Sequence, residues 1–185
     1  MSNAPHDLRA EEATLANMIM MPELAPLIAE ILPEPACFES YQRGQLYSAV
    51  LELVRRKDAV DEITLAAELV RVGAAGRGRM AVENYIREIC AIGPDPKGWE
   101  SHARIVRDFW VRRLIQVKLH EGANRAGDLG ADVLQLITEM QRGTSEMMSI
   151  ADYRPPVPIG DAASVAIDQL VNRKSQDYES EHGGA

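Results

Sequence analysis

Apolar positions recur with a helical period along most of the chain, most clearly over residues 99–123, WESHARIVRDFWVRRLIQVKLHEGA. Trp99, Ala103, Val106, Trp110, Leu114 and Val117 follow one another at spacings of three and four, which places them on one face of a helix. Ile105, Phe109 and Leu119 form a second row that widens this face. Both tryptophans and one of the two phenylalanines lie here, and large aromatics bring more buried area than other side chains. No proline interrupts the stretch and no glycine precedes Gly122, so a long helix is expected, joining two parts of the molecule.

The same periodicity divides the rest of the chain. Residues 7–20 predict a helix capped by Asp7, with Glu11 and Glu12 at the positive end of its dipole and Leu8, Leu15, Met18 and Ile19 inward. Pro22 ends that helix and opens a second, running to about Leu32 with Leu24, Leu27, Ile28 and Ile31 inward; Pro33 and Pro35 then break the chain. A third helix is expected from about Ser40 to Arg56, with Leu46, Tyr47, Val50, Leu51 and Val54 in phase. Thr64 reads as the cap of a short helix over residues 65–72 that stops at Gly73. GAAGRGR is a loop, residues 80–92 a further helix with Val82, Ile86 and Ile89 together, and GPDPKG a turn leading to Trp99.

Beyond Gly122 the glycines Gly127 and Gly130 mark a turn, with Asp128 as a candidate cap, and a second arm follows with Val133, Ile137, Met140 and Met147 in line. Two helices joined by a short turn predict an antiparallel hairpin. Its two apolar stripes cannot close a core alone and need the head or another subunit. Tyr153-Arg154-Pro155-Pro156-Val157-Pro158 reads as an extended linker. Asp161 then caps a last helix with Val165, Ile167, Leu170 and Val171 apolar, too short to persist in water without a docking partner. The expected architecture is all-α: a helical head over residues 5–98, the long helix and hairpin over 99–150, a linker over 151–160, and a linker helix with a loose tail over 161–185. No strand of sustained alternation and no internal repeat is read.

Composition supports this picture. Hydrophobic residues make up 46% of the 185, enough for a core, while aromatics are only 5%, so aliphatic and alanine-rich packing favours helices. A formal charge of -8 argues against a general grip on nucleic acid, although a local basic patch is compatible with it. Cys37 and Cys90 read as reduced, buried thiols. No apolar run approaches membrane-helix length and no secretory pattern opens the chain, so a cytoplasmic protein is expected.

Candidate chemistry is sparse. Gly73-Ala-Ala-Gly-Arg-Gly78 approaches a phosphate-binding loop, but Arg79-Met80 stand where lysine and a hydroxyl residue are required, and no strand precedes it. An ATP site in this chain is rejected. His6, His102, His120 and His182 have no second ligand at metal spacing, and no nucleophile elbow is present. No catalytic, cofactor or metal residue is assigned. Arg104, Arg107, Arg112, Arg113 and Lys118 make the long helix basic. They read as a solvated face pairing with Glu100 or Asp108, or as protein-facing groups, with DNA contact the weaker reading.

Taken in order, these segments resemble the N-terminal domain of DnaB-type replicative DNA helicases. The resemblance runs through AEEATLANMIMMPELAPLIAEILPEPACF, FESYQRGQLYSAVLEL, VDEITLAAEL, NYIREI and SHARIVRDFWVRRLI, covering roughly residues 5–150. No single motif decides it; the ordered series is specific. Ala16 stands where the family usually has glycine, His102 where it has tyrosine, and DPKGW replaces an asparagine turn. The register around Arg112 and Arg113 is shifted by a residue, as in a divergent or phage-related member.

The resemblance implies a collar that dimerises through head and hairpin, assembles on a hexameric ring, receives primase and docks its linker helix on a neighbouring motor. Leu114, Val117, Val133, Ile137 and Met140 are then the self-association candidates; Val165, Ile167, Leu170 and Val171 the linker-helix docking candidates; and Arg112, Arg113 and Lys118 the partner-facing basic residues. Partners would be a second copy, primase and a helicase loader, with no direct DNA binding by this segment. ATP and magnesium belong to the RecA-like motor that the family carries after about residue 185, so no cofactor and no enzymatic activity are expected within these residues. Two rivals stand beside this reading: a free-standing phage or host factor of the same fold that loads or inhibits a helicase, and a small helical DNA-binding protein. A reading frame continuing into a Gly-Lys-Thr loop separates the first from the collar.

Overall fold

The computed structural model describes residues 4–74 and 78–151; the linker, the last predicted helix and its candidates Val165, Ile167, Leu170 and Val171 lie outside the described residues. Those described form seven α-helices and no strand: α1 (Leu8–Met20), α2 (Ala25–Ile31), α3 (Tyr41–Arg56), α4 (Glu62–Arg71), α5 (Arg79–Cys90), α6 (Trp99–Ala126) and α7 (Val133–Ala151). Single 3-10 turns, Pro22–Leu24 and Pro35–Cys37, precede α2 and α3. In each the leading proline supplies a fixed φ where its missing N–H costs nothing.

α1 is the centre of the head. Asp7 caps it as expected, accepting from Ala10 N at 3.0 Å. Burial, however, extends well round the helix: Ala10, Glu11, Thr14, Leu15, Ala16, Asn17, Met18 and Ile19 are all enclosed, by α3, α5, α6 and α2, whereas Leu8 is exposed. Glu11 is therefore a buried carboxylate, not a solvent-facing dipole group. It accepts from Glu39 N at 3.0 Å and from Arg43 Nε at 2.5 Å, fixing the start of α3 to α1. Two charge-assisted bonds offset the desolvation that would otherwise expel an ionised group.

α3 begins where the sequence pattern places it, and Ser40 is its cap: Ser40 Oγ accepts from Arg43 N at 3.2 Å. Its inward residues include Leu46, Tyr47, Val50 and Leu53, while Leu51 and Val54 pack at the margin. Tyr47 O–H donates to the Leu32 carbonyl, and its ring lies 5.3 Å from that of Phe38. Gly44 is a close approach: a Cβ there would stand 2.7 Å from the Pro35 carbonyl oxygen. The helix closes on Lys57, a non-glycine residue at φ 61°.

α4 starts three residues earlier than the sequence pattern places it. Asp61, not Thr64, is the cap; its carboxylate accepts from Ile63 N and Thr64 N at 2.9 Å, while Asp61 N donates back to Thr64 Oγ1 at 3.0 Å. Thr64 thus fills the returning position of a capping box. Cys37 is buried as expected, its thiol pushed up to about 12 by burial, but Cys90 is only half-buried, and both are free thiols. Among the described residues no helix by itself is long and apolar enough to cross a membrane, and no three ligand-type side chains cluster.

Candidate protein-interaction surface

α6 has two halves with different surroundings. From Trp99 to Trp110 it belongs to the head: Ala103, Val106 and Trp110 are buried and Trp99 is partly so. The turn before it is fixed to α1 by Asp95 N, which donates to Asn17 Oδ1 at 2.7 Å, while Asp95 Oδ1 accepts from Gly98 N at 2.9 Å. Beyond Leu114 the helix leaves the head and meets α7. The helix also continues past Gly122 to Ala126, because Gly122 is a packing position and not a stop.

The hairpin is held by small and flexible side chains. A Cβ on Gly122 would lie 3.6 Å from Met140 Cε, and one on Gly143 would lie 4.0 Å from Lys118 Cδ. Arg125 pairs with Glu139 across the two arms. A cleft of about 240 Å³ runs between them, lined in part by Leu119, Leu136, Met140 and Met147. The cap of α7 is Asp132, whose carboxylate accepts from Leu134 N at 2.8 Å; Asp128, the sequence candidate, instead closes the turn by accepting from Gly130 N at 2.9 Å.

This pairing splits the predicted stripe. Met140 and Met147 line the cleft against α6, although Met140 keeps 48% of its surface exposed. Leu114 packs against the margin of the head core, so it already has an intramolecular role. Val117, Val133 and Ile137 are exposed, at 52%, 67% and 47%. Leu134 and Met148, at 76% and 67%, are further exposed apolar side chains on α7. Leu134 and Met148 were legible in principle: with Ile137 they share the α7 face turned from α6, which the count from Val133 to Met140 obscures. No residue of α7 is buried.

The basic residues separate as well. Arg113 is an internal clamp rather than a partner-facing group: its guanidinium donates to the carbonyls of Pro5 at 2.9 Å and Cys37 at 2.6 Å, tying α6 to the chain entering α1 and α3. Burial lowers its pKa from the usual guanidinium value. Arg112 is exposed, and Lys118 pairs with Glu121 at 3.0 Å on the helix surface. Arg104 pairs with Glu100 at 2.6 Å, the intrahelical contact expected of a solvated face. Between residues 111 and 151 five basic and five acidic side chains cancel, so the chain's charge of -8 does not fall on the hairpin. Apposing two such hairpins meets no net repulsion.

Residues 3–108 match the model of the family described as "DnaB-like helicase N terminal domain". The chain is 27% identical to a replicative DNA helicase DnaB of Rhodothermus marinus over 97% of its own length and 18% of that protein's. It is 26% identical to the corresponding protein of Leifsonia xyli, covering 94% of the chain and 37% of the relative, and 28% identical to the replicative DNA helicase DnaC of Bacillus subtilis, covering 92% and 37%. The chain therefore spans between about a fifth and two fifths of the length of these curated relatives. The crystal structure of the N-terminal domain of DnaB helicase from Mycobacterium tuberculosis superposes with a TM-score of 0.67 at 26% identity, over 78% of this chain and 99% of that one. On the family match, which agrees with the ordered series of segments that carried the sequence resemblance, the chain belongs to the DnaB-like helicase N-terminal domain family.

Proposed function

We propose that this chain is the collar of a replicative DNA helicase: a scaffold that assembles copies of the protein and presents a docking surface for primase, without chemistry of its own. The observation that carries the proposal is the hairpin. α7 buries no residue, yet Leu134, Ile137 and Met148 present exposed apolar side chains, and Val133 is exposed at its start. Uncovered apolar faces of this extent on a soluble domain mark association sites. The neutral charge of the hairpin suits a second copy of the same surface. Arg112 and Lys118, exposed on α6, are the basic groups left to meet a partner at the rim. In this role the protein works in the cytoplasm, ATP and magnesium belong to a motor domain, and direct contact with DNA is minor.

Light scattering across a hundredfold range of protein concentration tests self-association. The expected result is a mass rising to that of a dimer or larger species, and a monomer at every concentration argues against it. Titration calorimetry with a purified bacterial primase tests the second part: saturable heat that is lost on substituting the hairpin's outer residues is expected, and absence of binding removes primase from the proposal.

A further inference from the structure

We infer that Arg107 is a latch that returns the second arm of the hairpin to the head. Along its length α7 rests on α6 and buries no residue. Its last turn is different. Ile150 packs against the margin of the head core, and the Arg107 guanidinium donates to the Ile150 carbonyl. A guanidinium is a charged, multiple donor, well matched to a backbone carbonyl.

The register explains why the residue must be long. Met140 lies against Gly122. Equal steps along two antiparallel helices bring Ala151 opposite Val111, so position 107 lies about one turn, ~5.4 Å, deeper in the head. An arginine stem spans that gap. The base of the latch is rigid, because Val106 and Trp110 on either side of it are buried. Arg107 thus joins the fixed half of α6 to the free end of α7.

Hydrogen exchange on the 185-residue chain tests it, comparing the wild type with Arg107→Ala, Arg107→Lys and Arg104→Ala. Loss of one charge-assisted hydrogen bond predicts that the amides of residues 146–151 exchange about tenfold faster in Arg107→Ala. Arg107→Lys, which keeps charge and reach but loses the planar fork, is expected to show a smaller acceleration at the same amides. Arg104→Ala removes only the Glu100 pair and is expected to keep wild-type rates there. Unchanged exchange at residues 146–151 in a folded Arg107→Ala overturns the inference, as does a uniform acceleration through α1–α5, which would assign Arg107 to head stability. Should Arg107→Ala not fold, Arg107→Lys decides: acceleration confined to the last turn supports the latch, and wild-type rates there overturn it.

Discussion

Arg113 donates to the carbonyl of Cys37 at 2.6 Å, across most of the head from its own place in the sequence. With its bond to Pro5 it satisfies two backbone acceptors that no helix or sheet supplies. Arg113→Ala should therefore lower unfolding free energy by about 2–3 kcal/mol, the scale of hydrogen bonds to a charged donor plus the acceptors left bare. Arg112→Ala, one position away and exposed, should stay within about 0.5 kcal/mol. Urea unfolding of both variants makes the comparison, and equal losses would contradict the clamp.

The two glycines Gly44 and Gly143 should respond to alanine with opposite signs. Alanine is intrinsically better in a helix by about 1 kcal/mol. At Gly143 the nearest atom is the flexible Lys118 Cδ at 4.0 Å, so that preference is realised and the protein gains stability. At Gly44 the new Cβ meets the Pro35 carbonyl oxygen at 2.7 Å, and the backbone must move. A loss of about 2–3 kcal/mol is expected there. Melting midpoints measured side by side read both signs.

Glu68 links stability to acid. It is buried between Arg56 Nη2 at 2.9 Å and Arg71 Nη2 at 2.6 Å, and hydrogen bonding to Arg71 leads the effects that lower its pKa from 4.5 to about 2. Its folded-state pKa is depressed, so its stabilisation is complete above about pH 4.5 and is lost as pH falls toward 2. Arg71 is half in solvent, which reduces the contribution to about 1–3 kcal/mol. Glu68→Gln should be less stable at neutral pH and should lose less between pH 4.5 and 2 than the wild type. Parallel acid-dependence curves for the two proteins would refute this assignment.

Self-association and folding should separate on the hairpin. Leu134→Asp, on an exposed position of α7, is expected to reduce association in light scattering while leaving the circular-dichroism melt in place. Leu114→Asp puts a charge against the head core and is expected to lower the melt itself. If both variants melted early, Leu134 would belong to the fold and not to its surface.

Local signals in the chain were read accurately. Asp7 caps the helix expected of it, Ser40 marks the expected start of α3, Pro22 and Pro35 break where fixed φ demands, and the Trp99 periodicity identifies the element on which the head closes. Where two residues compete for one local role, proximity alone misleads. Thr64 and Asp128 each lie near a helix start, but Asp61 and Asp132 hold the caps because each stands directly before the first helical residue, where its carboxylate reaches two amides of the first turn. Roles set by distant partners were invisible: Glu11 meets Arg43 of α3, and Arg113 meets Pro5, through contacts that no periodicity encodes. The hairpin surface was half legible. Apolar spacing found both arms, but only the geometry of Gly122 against Met140 shows which methionines face inward.

The central position of α1 has a consequence for synthesis. This helix is the first to be made, yet it is enclosed by helices that arrive later, above all α6, and Asn17 waits for the amide of Asp95. A chain released from the ribosome only as far as residue 98 would carry the apolar flanks of α1 with no lid over them. Such a fragment is expected to lack a cooperative melt and to bind a hydrophobic dye, whereas one reaching residue 126 should do neither. The head cannot be completed in the order in which it is translated; its first helix is the last to be sealed.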